Sequence, residues 1–167
     1  MYLFRFAMLA SVSLFFSAAM AQQAVPAKPV ILTVTGLDPA MFPQGRAELD
    51  LTSLQALGES RITTSSIWTK GPHDFTGVML RTLADHLKLN TPTLKLLALN
   101  DYAITFHLAD ATPDAPMLAY LMDGAEMSVR DKGPIWLIFP YDSDARFRND
   151  QTFARSVWQL DRIEVVQ

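Results

Sequence analysis

Apolar and polar residues alternate with a period of two over much of the chain after residue 30, which is the pattern of β-strands with one buried face. We predict strands over residues 30–36, 47–51, 94–99, 102–108, 117–122, 135–139 and 158–165. The two segments that flank the turn pair Asn100-Asp101 are expected to form a hairpin or two neighbouring strands. The run from Ile135 to Phe139 is apolar at every position, which predicts a strand covered on both faces.

Helical periodicity is confined to two short segments. In residues 79–88, apolar side chains recur at the spacing of one buried helical stripe. That stripe consists of Leu80, Leu83, Ala84 and Leu87. A shorter helix is predicted from a cap at Thr52 to a stop at Gly58. Many strands with few short helices predict an α+β fold that is mainly β.

The first residues have the organisation of a secretory signal peptide. Arg5 precedes an apolar stretch over residues 6–16, and Ala19-Met20-Ala21 offers small residues for cleavage before Gln22. A retained membrane anchor is the alternative, but the apolar stretch is shorter than the roughly 20 residues that span a bilayer. We therefore predict a signal peptide over residues 1–21, a flexible tether over 22–29 and one domain over 30–167, in a periplasmic or secreted protein.

The composition excludes several classes of function. The 167-residue chain contains no cysteine, so it cannot form a cysteine–zinc site, an iron–sulfur cluster or a thiolate-ligated haem. Its 14 basic and 17 acidic residues give a net charge of −3 without a basic block, which argues against a nucleic-acid partner. The three histidines are widely spaced, and we predict no metal ligands among them.

Several short motifs follow one another in a particular order. They are Trp68, Phe75-Thr76-Gly77-Val78, Asn100-Asp101-Tyr102, Ala119-Tyr120-Leu121-Met122-Asp123-Gly124, the strand from Gly133-Pro134 to Pro140, and Trp158. In this order they resemble the sulfite-oxidase-type molybdopterin-binding domain, from Val30 to Val165. The resemblance implies a mixed, mainly-β, sulfite-oxidase-like fold with few short helices.

The resemblance also implies a cysteine, just upstream of the helix over 79–88, that supplies a thiolate to molybdenum. The corresponding stretch here contains Thr63, Thr64, Ser65 and Ser66, and a neutral hydroxyl is a poor replacement for a soft thiolate. We therefore expect no thiolate-ligated molybdenum and no cofactor. We expect a module that binds a small anionic or pterin-like ligand, or a periplasmic or membrane-sensor protein. A molybdopterin-dependent oxidoreductase that lacks the usual cysteine is the alternative, so enzymatic activity stays open and no catalytic residue is assigned.

The candidate ligand-binding residues fall into two groups. The segment before the helix offers hydroxyls, an aromatic wall and ionisable groups in Thr64, Ser65, Ser66, Trp68, Lys70 and His73. The loops that flank the Gly-Pro strand offer the cations Arg130, Lys132, Arg146 and Arg148. Such a mixture suits a small anionic or aromatic compound. The alternatives are a surface loop anchored by its tryptophan, and loop charges that are neutralised by interleaved aspartates.

Overall fold

The computed structural model describes residues 28–166, and in this range the chain is a mainly-β α+β protein with two sheets and few short helices. In chain order the strands are β1 (Val30–Thr35), β2 (Arg46–Asp50), β3 (Ser60–Ser65), β4 (Pro72–Met79), β5 (Thr93–Ala98), β6 (Ala103–His107), β7 (Met117–Met122), β8 (Ala125–Glu126), β9 (Trp136–Ile138) and β10 (Leu160–Val166). The α-helices are α1 (Leu51–Ala56), α2 (Leu80–His86) and α3 (Asp150–Ala154). The predicted signal peptide and all but the end of the predicted tether lie outside the described residues.

The strands form two sheets that share one core. The first sheet has the order β2-β1-β10-β5-β6, in which only β1 and β10 are parallel. The second has the antiparallel order β3-β4-β7-β8, with β9 also paired to β7. Fully buried side chains from both sheets, such as Leu32, Leu96, Phe75 and Trp136, belong to a single apolar cluster. Among residues 28–166, no helix is long and apolar enough to cross a membrane.

Several predictions from the hydrophobic pattern are confirmed. Strands β5 and β6 pair as an antiparallel hairpin across the turn at Asn100-Asp101. Strand β9 is buried at all three positions, as expected for a strand covered on both faces. The predicted stripe of α2 is also buried, because Leu80, Leu83, Ala84 and Leu87 belong to the core.

Three details of the sequence interpretation are wrong. Residues 60–65 and 72–79 form strands that were not predicted, so His73 lies within β4 instead of in a polar loop. Met79, the first residue of the predicted helix, accordingly belongs to β4, and α2 begins at Leu80. The cap of α1 is Asp50 instead of Thr52, because the Asp50 carboxylate accepts a hydrogen bond from the Ser53 amide at 2.7 Å.

The residues just before β10 form backbone hydrogen bonds with three other parts of the chain. The Leu99 amide donates to the Gln159 carbonyl at 2.9 Å, and the Gln159 amide donates to the Lys132 carbonyl at the same distance. The Leu137 amide donates to the Val157 carbonyl at 2.7 Å. These backbone bonds bring the β5–β6 turn, the loop after β8 and strand β9 to one end of the molecule.

Candidate functional site

Trp68 lies at the centre of a cluster of aromatic rings. Its ring meets four others edge to face, with centroids 5.3 Å from Trp158, 5.9 Å from Phe153, 6.0 Å from Trp136 and 6.4 Å from Tyr141. Edge-to-face contacts of this kind stabilise aromatic pairs beyond the burial of their area. Trp136 and Tyr141 are buried in the core, whereas Trp68 and Trp158 are only partly buried. The cluster therefore extends from the core to the surface.

The turn between β3 and β4 positions Trp68. The Ser66 hydroxyl accepts a hydrogen bond from the Trp68 amide at 3.2 Å and is bonded to the Thr69 hydroxyl at 2.7 Å. Ser and Thr side chains favour turns by bonding to nearby backbone groups in this way. The predicted hydroxyl of Ser66 thus organises the turn that presents the Trp68 ring.

A cavity of about 300 Å³ opens beside the two partly buried tryptophans, and we call it the basic groove. It is lined by Trp68, Arg130, Lys132, Trp158 and Gln159. Among the described residues, neither cation of the groove is paired with a carboxylate. The Lys132 ammonium lies 5.5 Å from the centroid of the Trp136 ring. The groove therefore offers positive charge next to aromatic faces.

Two of the five non-glycine residues that have a positive φ among residues 28–166 line the same groove. Lys132 has a φ of +76° and Gln159 a φ of +56°, in the left-handed region that residues other than glycine seldom adopt. The two are joined by the backbone bond from the Gln159 amide to the Lys132 carbonyl. The Gln159 side-chain amide also donates to the Val129 carbonyl at 2.7 Å. Strained residues held by such bonds are typical of functional sites.

A second cavity, of about 330 Å³, adjoins the groove and is also lined by Trp68 and Trp158. We call it the apolar cavity, and its other residues are Asn100, Tyr102, Phe153, Ala154, Ser156 and Val157. The Tyr102 hydroxyl donates to the Ala154 carbonyl at 3.1 Å, which fixes the ring that forms one wall. No lysine or arginine belongs to this lining, so the two cavities differ in chemical character.

Ser156, which lines the apolar cavity, belongs to a buried hydroxyl pair. The Tyr141 hydroxyl is hydrogen-bonded to the Ser156 hydroxyl, which donates in turn to the Thr152 carbonyl at 2.9 Å. Burial raises the pKa of Tyr141 to about 12. The phenol therefore stays neutral at physiological pH, and Ser156 provides a fixed polar atom in an otherwise apolar wall.

The hydroxyls at the position where the resemblance expects a cysteine are occupied by structural bonds. The Ser65 amide and hydroxyl donate to the Asp142 carboxylate at 2.6 and 2.8 Å, and the Thr64 hydroxyl accepts from the Asp142 amide at 3.1 Å. Arg148 donates to the same carboxylate at 2.6 Å. Donation from Ser65, supported by Arg148, lowers the pKa of Asp142 below its usual value. These groups tie β3 to the loop that follows β9.

The remaining candidates do not line either cavity. The His73 ring is bonded through Nδ1 to the Asp123 carboxylate at 2.6 Å, and this bond lowers the pKa of Asp123. Arg146 is bonded to Asp114 at 3.1 Å and is also paired with Asp144. Lys70 is exposed beside the Trp68 turn. Of the ten predicted candidates, the structure thus brings Trp68, Arg130 and Lys132 to one groove.

Sequence reasoning did not propose the rest of the cavity lining. Tyr102 and Trp158 belong to motifs that were quoted for the resemblance, so their aromatic character was a usable signal. Phe153 and Ser156 lie in or just after α3, in a segment without a motif. Gln159 carries no signal in the sequence, because its role depends on the backbone bond to Lys132.

The donor set does not fit molybdenum held by the protein. The hydroxyls of Ser65 and Ser66 are hard, neutral donors, and both are bonded within the protein. Within residues 28–166, no group of three or more histidine, cysteine, aspartate or glutamate side chains is placed to hold a metal ion. No known protein-family model matches the chain. No curated protein matches it.

Proposed function

We propose that this protein is an exported ligand-binding module with a sulfite-oxidase-like fold, and that it binds a small planar anion, such as a pterin-like compound, in the basic groove. The observation that carries this proposal is the pair of cations, Arg130 and Lys132, which line the groove with Trp68 and Trp158 and have no carboxylate partner in the part of the chain that the structure describes. Export and the specific fold rest on the sequence patterns.

The groove has the two kinds of group that a planar anion needs. Unpaired guanidinium and ammonium groups form charge-assisted hydrogen bonds with a carboxylate or phosphate. Aromatic faces contact a planar ring over a large area. Arg146 and Arg148 differ, because each is already paired with an aspartate. The binding function is therefore assigned to Arg130 and Lys132 and not to the other two arginines.

Titration calorimetry at low ionic strength with pterin-6-carboxylate tests the proposal. We expect Arg130→Ala and Lys132→Ala each to weaken binding about tenfold, since a lost charge-assisted bond is worth about 1.4 kcal/mol or more. Added salt should weaken binding by the parent protein, because the groove is open to solvent. Arg146→Ala is the matched control and should bind like the parent. If all four proteins bind equally well, or if none binds, the proposal is wrong.

A protein partner is the second candidate function, and exposed apolar side chains favour it. Large exposed hydrophobic residues adjoin the two cavities in sequence or line them: Ile67, Leu99, Tyr102 and Val129. Clustered exposed apolar residues around a groove are typical of interaction surfaces. A photo-crosslinking residue at Val129 should capture one defined protein that the same residue at Val166 does not. Equal capture from both positions would exclude this function for the groove.

The molybdopterin-dependent oxidoreductase has no comparable support. Its metal would need a donor from the protein, and the Ser65 hydroxyl at the expected position donates to Asp142. We therefore do not assign a redox reaction to this chain.

A further inference from the structure

We infer that the ligand is an amphiphilic aromatic anion, whose anionic group lies between Arg130 and Lys132 and whose apolar ring system extends past the tryptophan pair into the apolar cavity. This inference rests on the proposed function and specifies the chemical class of the ligand. It excludes compact anions, such as inorganic phosphate, and single-ring acids as the preferred ligands.

The basic groove and the apolar cavity adjoin each other. Trp68 and Trp158 line both, and their ring centroids lie 5.3 Å apart at an angle of 80°. Volumes of about 300 and 330 Å³ place each cavity at the lower end of the range of about 300–1,000 Å³ for ligand sites. Two adjoining cavities of this size can be occupied by one ligand.

The two cavities differ in charge and polarity. The basic groove contributes two cations, whereas the apolar cavity contributes rings and aliphatic groups, among them Tyr102, Phe153 and Val157. An anion in the apolar cavity would lose hydration without gaining a charged partner, which is costly. A neutral ring there gains free energy from the area that it buries. The orientation of the ligand is thereby fixed, with its charge toward Lys132.

The lining of the apolar cavity also includes two polar side chains, Ser156 and Asn100. The Ser156 hydroxyl is held by Tyr141 and Thr152, and Asn100 accepts from the Tyr102 amide at 3.1 Å through its side-chain oxygen. The side-chain nitrogen of Asn100 has no hydrogen-bond partner among the described residues. A heteroatom in the ring system can accept a bond from it, so the ring class includes heteroaromatic compounds.

Calorimetry with three matched probes tests the inference: benzoate, 2-naphthoate and the neutral 2-naphthamide. The parent should bind 2-naphthoate about tenfold more tightly than benzoate, because the second ring buries further apolar area. It should bind 2-naphthamide about tenfold more weakly than 2-naphthoate, because the amide has no charge for the cations. Lys132→Ala should weaken both carboxylates by the same factor.

Filling the apolar cavity from its exposed rim separates the two parts of the site. Ala154 is exposed and lines the cavity, so Ala154→Phe should remove the advantage of 2-naphthoate and leave benzoate binding unchanged. Ala125→Phe, at an exposed alanine that lines neither cavity, is the matched control and should bind like the parent. Thermal melting checks that both variants are folded.

The outcomes distinguish this inference from the proposed function. If the parent binds benzoate and 2-naphthoate equally and Lys132→Ala weakens both, the groove binds anions but the extended ligand is wrong. If 2-naphthoate keeps its advantage in Ala154→Phe, the apolar cavity is not where the second ring lies, and the inference is again wrong. If no carboxylate binds, or if Lys132→Ala binds all probes like the parent, both the inference and the proposed function fail.

Discussion

Replacement of Trp136 by alanine tests whether the aromatic cluster stabilises the whole domain. Trp136 is fully buried in β9, and its ring meets Phe75 at 5.4 Å and Trp68 at 6.0 Å between centroids. Truncation of a buried tryptophan to alanine typically lowers the free energy of unfolding by about 3–5 kcal/mol, because it removes buried apolar atoms and leaves a cavity. That range includes the loss of ring contacts, and the loss of two edge-to-face pairs, each worth about 0.5–1.5 kcal/mol, places Trp136→Ala in its upper half. We therefore expect a cost of about 4–5 kcal/mol in the free energy of unfolding.

The indole N–H of Trp136 adds a second, graded prediction. It is buried and has no hydrogen-bond acceptor among the described residues, so it lowers the stability that the ring provides. Trp136→Phe removes this N–H and keeps most of the packing. Its cost should be only about 1–2 kcal/mol, well below that of Trp136→Ala.

Urea unfolding followed by far-ultraviolet circular dichroism measures both variants without depending on tryptophan fluorescence. Leu99→Ala, at an exposed side chain, is the control and should change the free energy of unfolding by no more than about 0.5 kcal/mol. If the free energy of unfolding of Trp136→Ala lies within about 1 kcal/mol of that of the parent, and its slope against urea concentration is unchanged, the assignment of Trp136 to the core is refuted.

Two further predictions concern Gly77 and Tyr141. A Cβ at Gly77 would lie 2.2 Å from the Leu118 carbonyl oxygen of β7, so Gly77→Ala should cost about 2–4 kcal/mol in urea unfolding. Gly124→Ala adds a Cβ that meets no atom within 4 Å at a φ of +79° and should cost only about 1–2 kcal/mol; equal costs would contradict the close approach. Burial raises the pKa of Tyr141 to about 12 in the folded protein, so the phenol ionises at lower pH in the unfolded chain than in the folded one. The contribution of this phenol to the free energy of unfolding is fully present below about pH 10. It falls by about 1.4 kcal/mol per pH unit from there to about pH 12. The difference in stability between the parent and Tyr141→Phe should shrink accordingly between pH 9 and 11.5, and a constant difference would show that the phenol is not buried.

The fold elements that could be predicted are those with a strong local pattern. Helix α2 has its buried stripe within about two turns of sequence, and β9 is apolar at every position. Strands β3 and β4 lack such a pattern, because β3 lies at the edge of its sheet and exposes Arg61 and Thr63. They pair through an antiparallel backbone ladder, and the Thr63 hydroxyl also donates to the Asp74 carboxylate at 2.6 Å. The hydrophobic pattern of a sequence does not show which residues form those bonds, so it did not predict these two strands.

The candidate site could be predicted only in part for the same reason. Trp68 was identifiable from its residue type and its motif, and Arg130 and Lys132 from their position beside the Gly-Pro strand. Arg146 and Arg148 are paired with aspartates, whereas the described residues offer no carboxylate partner to Arg130 or Lys132, and this difference is a result of folding. Both pairs have aspartates nearby in the sequence, so local composition does not separate them.

The hydroxyls of Thr64 and Ser65 acquire a definite role from these contacts. They stand where the resemblance implies a metal-binding cysteine, and they bond to the backbone and carboxylate of Asp142, in the loop after β9. A thiol would be a weak donor to that carboxylate, whereas a serine hydroxyl donates to it at 2.8 Å. The serine therefore suits a fold in which hydrogen bonds link β3 to this loop. Within residues 28–166 the hydroxyls of this segment are therefore used in linking β3 to the loop, whereas Arg130 and Lys132, which line the groove beside Trp68, have no carboxylate partner, and the proposed binding of an anion rests on these two cations.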